Sequence, residues 1–435
     1  MKKLMTIGLA AAMMFAMAGK ASATALETSG EFRARYWALG NYFESGKSAE
    51  FWDSRLRLTM VWPVAEGVKF TVRGDINEGF WGDSLETATT TAGVTTYGTT
   101  SNANSSPTRP SIAWDQVNLS FAWPNSPITI VVGRQTTTWG PGLFVAQDNR
   151  DRFRIHAKFD ATTVFYTYDK YVENVYLHET DSLDDRSQHT IGAVSTVAGW
   201  NVGGILAWVP NGSVQGVDSN YYIVDGYAMG KAGPVDIKTE FVYGMGTDDF
   251  DSSAKQDIDV SGFGLYVGAT MPAGPVTVGF EGAYVSGDDP KTTSKNEGKF
   301  KSDYQSPFWS IILFNNLDYN GYMGESKTAT AALGTSADDG MANAFGVKAS
   351  VSTTLMPGLT LYGAALYASR LEDQKNAAGV MTKADPLGTE IDVVGNYAIT
   401  PNVSWTIGIG YLVAGDFFGN VDNPVGAMSA FTVKF

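Results

Sequence analysis

The sequence predicts an all-β protein, a transmembrane antiparallel β-barrel of about eighteen strands, with about sixteen as the alternative count. Three observations indicate this fold. Stretches of alternating polar and apolar residues fill the chain, tight turns alternate with long loops between them, and the chain ends in an aromatic strand. After the N-terminus no stretch approaches the roughly 20 apolar residues that a spanning helix needs. If the protein spans a membrane, its spanning segments are therefore strands.

The N-terminus has the pattern of a secretory signal peptide over residues 1–23. Two lysines precede an apolar run, and Ala21-Ser22-Ala23 supplies the small residues of a cleavage site. Residues 24–435 are then expected to form a single barrel domain. The formal net charge of -14 argues against a nucleic-acid partner, and the lack of cysteine excludes disulfides and a lipoprotein anchor.

The first six predicted strands alternate polar with apolar side chains and hold most of the arginines. Ten of the twelve arginines lie between Arg33 and Arg154. Residues of like parity share one face of an extended chain, so each of these strands has two unlike faces. The six strands span residues 30–39, 51–62, 67–76, 114–123, 128–137 and 152–159.

The later predicted strands are bounded by turn residues such as Asp160-Ala161, Ala198-Gly199 and Met356-Pro357-Gly358. Along the strand at 402–413, apolar side chains at odd positions oppose small or polar ones at even positions. The twelve strands span residues 162–172, 187–197, 200–209, 221–231, 235–245, 257–271, 275–285, 343–355, 359–371, 386–399, 402–413 and 426–435.

Short and long connections alternate along the whole chain. Pro124–Pro127 is one of the short ones, whereas 77–113 and 286–342 are long. Bacterial outer-membrane barrels have short periplasmic turns, long extracellular loops and an even number of strands. We therefore expect an integral outer-membrane protein with both termini in the periplasm.

Aromatic residues mark the predicted membrane boundaries and the chain end. Tryptophans at 62, 123 and 200 lie beside short turns, as in the aromatic girdles of such barrels. Phe431, Val433 and Phe435 share a face of the last strand, which is similar to the sorting signal of Gram-negative barrels. The expected partners are therefore outer-membrane lipid and lipopolysaccharide, the barrel-assembly machinery and, in a homo-oligomer, further copies of the chain.

The stretch DRFRIHAKF, residues 151–159, indicates which face of the strands contacts water. An Arg or Lys facing lipid near the midplane costs about 2–4 kcal/mol, so its basic residues should face the lumen. The same alternation predicts a basic arc of pore-lining residues and an acidic arc opposite; ion pairs that merely rigidify the wall are the alternative. The predicted lining residues are Arg33, Arg35, Arg55, Arg57, Arg73, Arg152, Arg154 and Lys158, with Asp236, Glu240, Glu281, Glu390 and Asp392 opposite.

Arg134 is a special case among the predicted pore-lining residues. It shares parity with Ile128, Ile130 and Val132, so it would face lipid in a regular strand. A β-bulge at Gly133 would turn it, and we predict such a bulge.

Three connecting segments have unusual composition. Residues 85–110 are rich in Thr, Ser and Gly and predict a mobile outer loop. The apolar stretch FWSIILF at 308–314 either folds inward as a constriction or extends a neighbouring strand. The aspartates within 247–259 lack the spacing of a calcium loop, which favours a solvated acidic loop over a calcium site.

Two motifs resemble outer-membrane porins of the alginate-export type. They are VGRQTTTWGPGLF at 132–144 and GTEIDVVGNYAITPNVSWTIGIGYLVAGDFFG at 388–419. The resemblance implies an eighteen-stranded barrel with an arginine-rich, electropositive conduit. It supports Arg134 and Gln135 as wall residues and Asp416 as part of the last loop.

The sequence therefore predicts a channel for passive diffusion of small or oligomeric hydrophilic solutes, with a preference for anions. We expect no metal, no cofactor and no enzymatic activity, since the three histidines lack a catalytic context and no phosphate loop or nucleophile elbow occurs. The alternative is a barrel that sheathes or docks a partner protein such as an electron-transfer cytochrome. An interfacial hydrolase would instead depend on His156.

Overall fold

The structure is a computed structural model. It describes residues 25–41, 46, 48–81, 86–91, 94–99, 112–146, 148–173, 185–214, 216–251, 255–298, 309–314, 341, 343–375, 381–419 and 421–435, so the predicted signal peptide lies outside the described residues. Eighteen long strands make up the main sheet: β1 Glu27–Gly40, β2 Ser48–Ala65, β3 Val68–Phe80, β4 Ile112–Ala122, β5 Ile128–Thr137, β6 Asp148–Phe159, β7 Thr162–Val172, β8 Arg186–Val197, β9 Trp200–Val214, β10 Val217–Ala232, β11 Val235–Phe250, β12 Ile258–Ala273, β13 Val276–Val285, β14 Ala344–Met356, β15 Leu359–Arg370, β16 Pro386–Thr400, β17 Val403–Ala414 and β18 Val425–Lys434.

The sheet closes on itself as an antiparallel barrel. Each strand pairs with the next in sequence, and β18 returns to pair with β1, from Glu31 opposite Lys434 to Gly40 opposite Val425. Closure leaves no unpaired edge among the eighteen strands that the structure describes. The predicted all-β barrel is thus confirmed, and the count of eighteen holds over the alternative of sixteen.

A glycine lies at the backbone contact that closes the chain end. The backbone N–H of Phe435 donates to Gly30 O over 3.0 Å, and the N–H of Gly30 donates to Phe435 O over 2.7 Å. A Cβ on Gly30 would lie 2.5 Å from the Phe435 ring, so no larger residue fits there without a shift. Phe431 stacks on Trp405 with ring centroids 5.5 Å apart. The role of this strand as an assembly signal stays a prediction.

The outer face of the barrel is apolar and the inner face is buried. On β16, Ile391 is 52% exposed whereas its neighbours Glu390 and Asp392 are 1% and 2% exposed. On β12, Leu265 is 42% exposed and Tyr266 only 4%. This is the two-sided alternation expected of a barrel strand between lipid and lumen. Among the described residues, no helix is long and apolar enough to span a bilayer.

The tight turns use residues in the left-handed region. Asn125, Asp160 and Ala198 have φ of 54°, 48° and 50°, each in a turn that the sequence predicts. Smaller strand pairs lie outside the barrel wall. Glu86–Thr91 pairs with Val94–Thr99 within the segment predicted as a mobile loop, most of which lies outside the described residues, and Gln374–Lys375 pairs with Met381–Thr382.

Candidate functional site

The arginines of β1 to β3 form ion pairs with carboxylates on the same inner face. Arg35 donates from Nε to both carboxylate oxygens of Asp53, at 2.9 and 3.0 Å. Arg57 binds Asp75 through two hydrogen bonds of 2.7 Å. Both members of each pair come from adjacent strands, at directly opposed register positions. The first stretch of the predicted basic arc is therefore largely neutralised within the wall.

Asp115 of β4 extends this network across the next strand. Its carboxylate lies 3.0 Å from the guanidinium groups of both Arg57 and Arg73. Arg73 also donates to Thr136 Oγ1 over 2.8 Å. Nearer the closure seam, Arg55 pairs with Glu31 at 3.1 Å, and Arg33 lies opposite Arg55 in the β1–β2 register.

A second network surrounds Asp169 of β7, which is completely buried. Arg152 donates to it from Nη2 over 2.7 Å, and a second donor of the same guanidinium, Nε, binds the other oxygen. Arg150 reaches the same carboxylate at 3.4 Å and stacks on Tyr171, with 4.5 Å to the ring centroid. Two guanidinium groups thus share one buried carboxylate.

Arg154 differs from the arginines of these two networks. Within the described part of the chain it has no carboxylate partner, and its buried Nε has no hydrogen-bond acceptor. Its guanidinium lies 5.6 Å from the Phe165 ring centroid. His156 and Lys158 follow on the same face of β6. The positive charge of Arg154 therefore faces the lumen with an apolar ring as its neighbour.

The connection between β5 and β6 folds into the lumen; we call residues 138–146 the first inner loop. Glu240 of β11 holds it by accepting three backbone N–H groups, those of Gly142, Leu143 and Phe144, at 3.0, 2.9 and 2.8 Å. Asp225 of β10 accepts from Trp139 Nε1 at 2.6 Å.

Residues 309–314, which we call the second inner loop, also fold inward. Glu390 of β16 accepts from the N–H groups of Ile312 and Leu313, at 2.6 and 2.8 Å, and from Ser310 Oγ at 2.9 Å. Asp392 accepts from the N–H of Ile311 at 3.3 Å. Of the two alternatives for the FWSIILF stretch, the inward fold is the one found.

The two inner loops join one apolar cluster inside the barrel. Leu143 of the first loop is 0% exposed, as are Ile311 and Ile312 of the second. Wall residues complete the cluster. They include Trp37, Leu39, Val242, Tyr266, Val285, Leu366, Leu387 and Leu412. The loops therefore narrow the lumen with apolar side chains, whereas the polar side chains remain against the wall.

A recess of about 170 Å³ remains between the first inner loop and the wall strands β6 to β10. Arg154 is one of its lining residues, and hydroxyl and amide groups are among the others. This volume is of the size that holds a single six-membered ring in other proteins. The polar lining comprises Thr137, Thr138, Arg150, Arg152, Arg154, Thr167, Gln188 and Thr190, and the apolar lining Trp139, Phe144, Val145, Phe165, Val194, Ile205 and Tyr227.

The remaining predicted lining residues lie outside the recess. Glu281 pairs with Lys348 at 2.6 Å and accepts from Tyr266. Asp236 pairs with Lys231 at 3.4 Å, with both side chains widely exposed. The predicted opposition of a basic and an acidic arc is not what the described residues show. Most of the arginines bind carboxylates of neighbouring strands, and the predicted acidic residues bind lysines or an inner loop.

Arg134 lies apart from both arginine networks, unlike its predicted place in the pore lining. Gly133 has φ of 113°, and a Cβ there would meet Val117 O at 2.2 Å. The predicted β-bulge is not found, because the register continues through Gly133 without a shift on both sides and Arg134 stays opposite Asp151. The two side chains form a 3.5 Å ion pair, with 39% and 68% exposure.

Sequence reasoning missed the carboxylates that neutralise the arginines. Asp53 and Asp75 each lie two residues from an arginine of the same strand, so alternation places both partners on one face. That signal was present in the sequence. Asp115 and Asp169 needed the cross-strand register, which the sequence does not provide.

Comparison with known proteins gives matches of fold only. No protein-family model matches the sequence, and no curated protein matches it. Solved structures do match. OccK8 (OprE) of Pseudomonas aeruginosa has a TM-score of 0.55 at 10% identity, over 94% of this chain and 98% of that one. A BenF-like porin from Pseudomonas fluorescens Pf-5 has a TM-score of 0.54 at 10% identity, over 94% of this chain and 99% of that one.

A third neighbour is Pseudomonas aeruginosa OccK2 (OpdF) in complex with glucuronate. Its TM-score is 0.52 at 10% identity, over 96% of this chain and 99% of that one. These neighbours support the barrel architecture over nearly the whole chain. They give no support to the alginate-export type in particular.

Proposed function

We propose that the protein is a channel of the bacterial outer membrane through which small anionic solutes diffuse passively. The observation that carries the proposal is the recess beside Arg154. A cation at the edge of an apolar, partly desolvated site is stabilised by an anion that enters it. The fold neighbours support a channel, because one is a porin by name and another holds glucuronate, a carboxylate.

The pairing of the other arginines sharpens this proposal. Arg35, Arg57, Arg73 and Arg152 each already bind a carboxylate, so they contribute little net field to the lumen. The anion preference then depends on Arg154, assisted by Lys158 further along β6. The ring-sized recess favours small solutes over the oligomeric ones that the sequence left open.

Localisation follows from the same proposal. An apolar outer face around a closed barrel suits lipid and lipopolysaccharide, and delivery would use the predicted signal peptide and the barrel-assembly machinery, with both termini in the periplasm. Assembly into a homo-oligomer is compatible with this arrangement. The alternative of a sheath for a partner protein gains no support, because the inner loops occupy the lumen that a partner would need.

The test is the reversal potential of the purified protein in a planar bilayer under a KCl gradient. We expect an anion-selective potential in the wild type and a shift toward zero in Arg154→Gln. Arg134→Gln is the matched control, since it removes the same charge at a site outside both networks and should leave the potential unchanged. Cation selectivity in the wild type, or equal potentials in wild type and Arg154→Gln, would refute the proposal.

A further inference from the structure

A second arginine on the inner face has surroundings like those of Arg154. Arg186 is the first residue of β8, and its guanidinium carbon lies 4.7 Å from the ring centroid of Tyr171. Its Nε is buried without a hydrogen-bond acceptor, as is the Nε of Arg154. Among the described residues, neither guanidinium has a carboxylate partner. At both positions an aromatic ring lies where the other arginines have a counter-ion.

Arg186 lies at the loop end of the barrel, whereas Arg154 lies deeper. β8 follows the long connection after β7, and the short turn Ala198-Gly199 follows β8. In the strand register Arg154 is opposite Thr167, which in turn is opposite Thr190 of β8. Arg186 precedes Thr190 by four residues. At about 3.3 Å per residue, it lies about 13 Å nearer to the loop end.

Hydrogen bonds connect the ring that Arg186 contacts to the recess. The Tyr171 hydroxyl donates to Gln188 Oε1 over 2.8 Å, and Gln188 Nε2 donates to Thr190 Oγ1 over 2.8 Å. Gln188 and Thr190 both line the recess that Arg154 also lines. The loop-side mouth and the recess therefore share one wall, with polar groups along it.

The carboxylates near Arg186 are bound by other cations. Those on the inner face pair with Arg150 and Arg152; they are Asp148 and Asp169. Those of the following connection pair with Lys170, which lies on the other face of β7; they are Glu173 and Asp185. The described inner face around Tyr171 thus has three guanidinium groups and two carboxylates. The charge of Arg186 is the unbalanced one.

A guanidinium against an aromatic ring is well suited to bind a carboxylate. The cation–π contact stabilises the positive charge without using an N–H donor. The donors of the guanidinium therefore remain for two parallel hydrogen bonds to a carboxylate. Arg186 is only partly buried, so a solute can reach it from the lumen.

We propose that Arg186 and Tyr171 form a capture site for small carboxylates at the loop-side mouth, from which the solute passes to the recess at Arg154. The role in transport rests on the proposed channel function, but binding at Arg186 can be measured without conduction. The site acts on entry from the loop side, because a solute that enters from the turn side reaches Arg154 first.

Chemical modification of arginine measures binding at this site directly. The folded barrel in lipid vesicles is treated with p-hydroxyphenylglyoxal, and modification of each arginine is followed by mass spectrometry. The probe is benzoate, a carboxylate with one six-membered ring. We expect benzoate to slow modification of Arg186, in the wild type and in Arg154→Gln alike. Modification of Arg134, which has a carboxylate partner in Asp151, is the internal control and should not change.

Blocking of single channels by benzoate tests the role in entry. With benzoate on the loop side at low ionic strength, Arg186→Gln should lower the frequency of blocking events by about fivefold, because the mouth loses its unbalanced charge. Arg154→Gln should instead shorten each event about tenfold, from the loss of a charge-assisted hydrogen bond. With benzoate on the turn side, Arg186→Gln should be blocked as often as the wild type.

Two further variants separate charge from packing. Arg186→Lys keeps the charge and should restore most of the event frequency, whereas a role in wall packing alone would not be rescued by lysine. Arg134→Gln removes the same charge at an exposed ion pair and should leave the frequency unchanged.

Modification of Arg186 that benzoate does not slow would overturn the capture site. Equal event frequencies in wild type and Arg186→Gln, or the same loss from both sides, would overturn it as well. Protection of Arg186 in a barrel without conductance would leave the site standing and contradict the proposed channel. Anion-selective conductance without protection of Arg186 would do the reverse.

Discussion

Asp169 provides the sharpest test of the ion-pair networks. Its side chain is 0% exposed and binds both Arg150 and Arg152, whose side chains are 11% and 6% exposed. Asp169→Asn keeps the shape of the residue but removes its charge. Two buried guanidinium groups then lose their common counter-ion, although Arg150 keeps its contact with Asp148.

Breaking a buried ion pair by removing one partner costs about 3–5 kcal/mol, because a charge remains buried without compensation. We therefore expect the free energy of unfolding to fall by about 3 kcal/mol or more, measured by urea titration of the barrel in lipid vesicles. The same change should make the channel more anion-selective, since Arg152 then contributes its full charge to the lumen.

Asp236→Asn is the matched control for stability. Its partner Lys231 and Asp236 itself are 72% and 47% exposed, and such surface pairs contribute about 0–1 kcal/mol. A loss in Asp169→Asn no larger than in this control would refute the reasoning. It would mean that desolvation of the three buried groups offsets their attraction.

Three further predictions concern closure, the inner loops and the lipid face. Gly30→Val would place side-chain atoms on the Phe435 ring, so we expect a lower yield of heat-modifiable, folded barrel; an unchanged yield would show that the ring can move away. Leu143→Asp buries a charge in the apolar cluster and should expel the first inner loop, which a larger single-channel conductance would reveal and an unchanged one would contradict. Ile409→Arg, at a position 58% exposed on the outer face of β17, should lower stability by about 2–4 kcal/mol in vesicles, whereas no loss would place this residue outside the hydrocarbon.

The strands could be predicted from the sequence because their signals are local. Period-two alternation is visible within six or eight residues, and turns such as Asn125 and Asp160 occur where a left-handed residue is needed. The face of each strand followed from the cost of basic residues in lipid. The sequence did not predict that Arg57 and Arg152 are neutralised, because their carboxylate partners come from neighbouring strands.

The contacts that hold the inner loops could not be predicted from the sequence either. Glu240 binds Leu143 across 97 residues of chain, and Glu390 binds Ile312 across 78. Nothing near either loop signals that three of its hydrogen-bond donors will meet one carboxylate. The apolar character of residues 309–314 indicated burial, but the direction of burial depended on an acceptor far away in sequence.

The pairing of β1 with β18 has a kinetic consequence. Glu31 and Lys434 face each other from opposite ends of the chain, so the first strand keeps an open edge until the last strand has been delivered. Pairings between such distant segments form slowly, because the entropy of a very long loop must be lost before any contact forms. During that interval two unpaired edges are available to other chains. The chain therefore needs protection from aggregation for the whole time between its synthesis and the joining of its two ends.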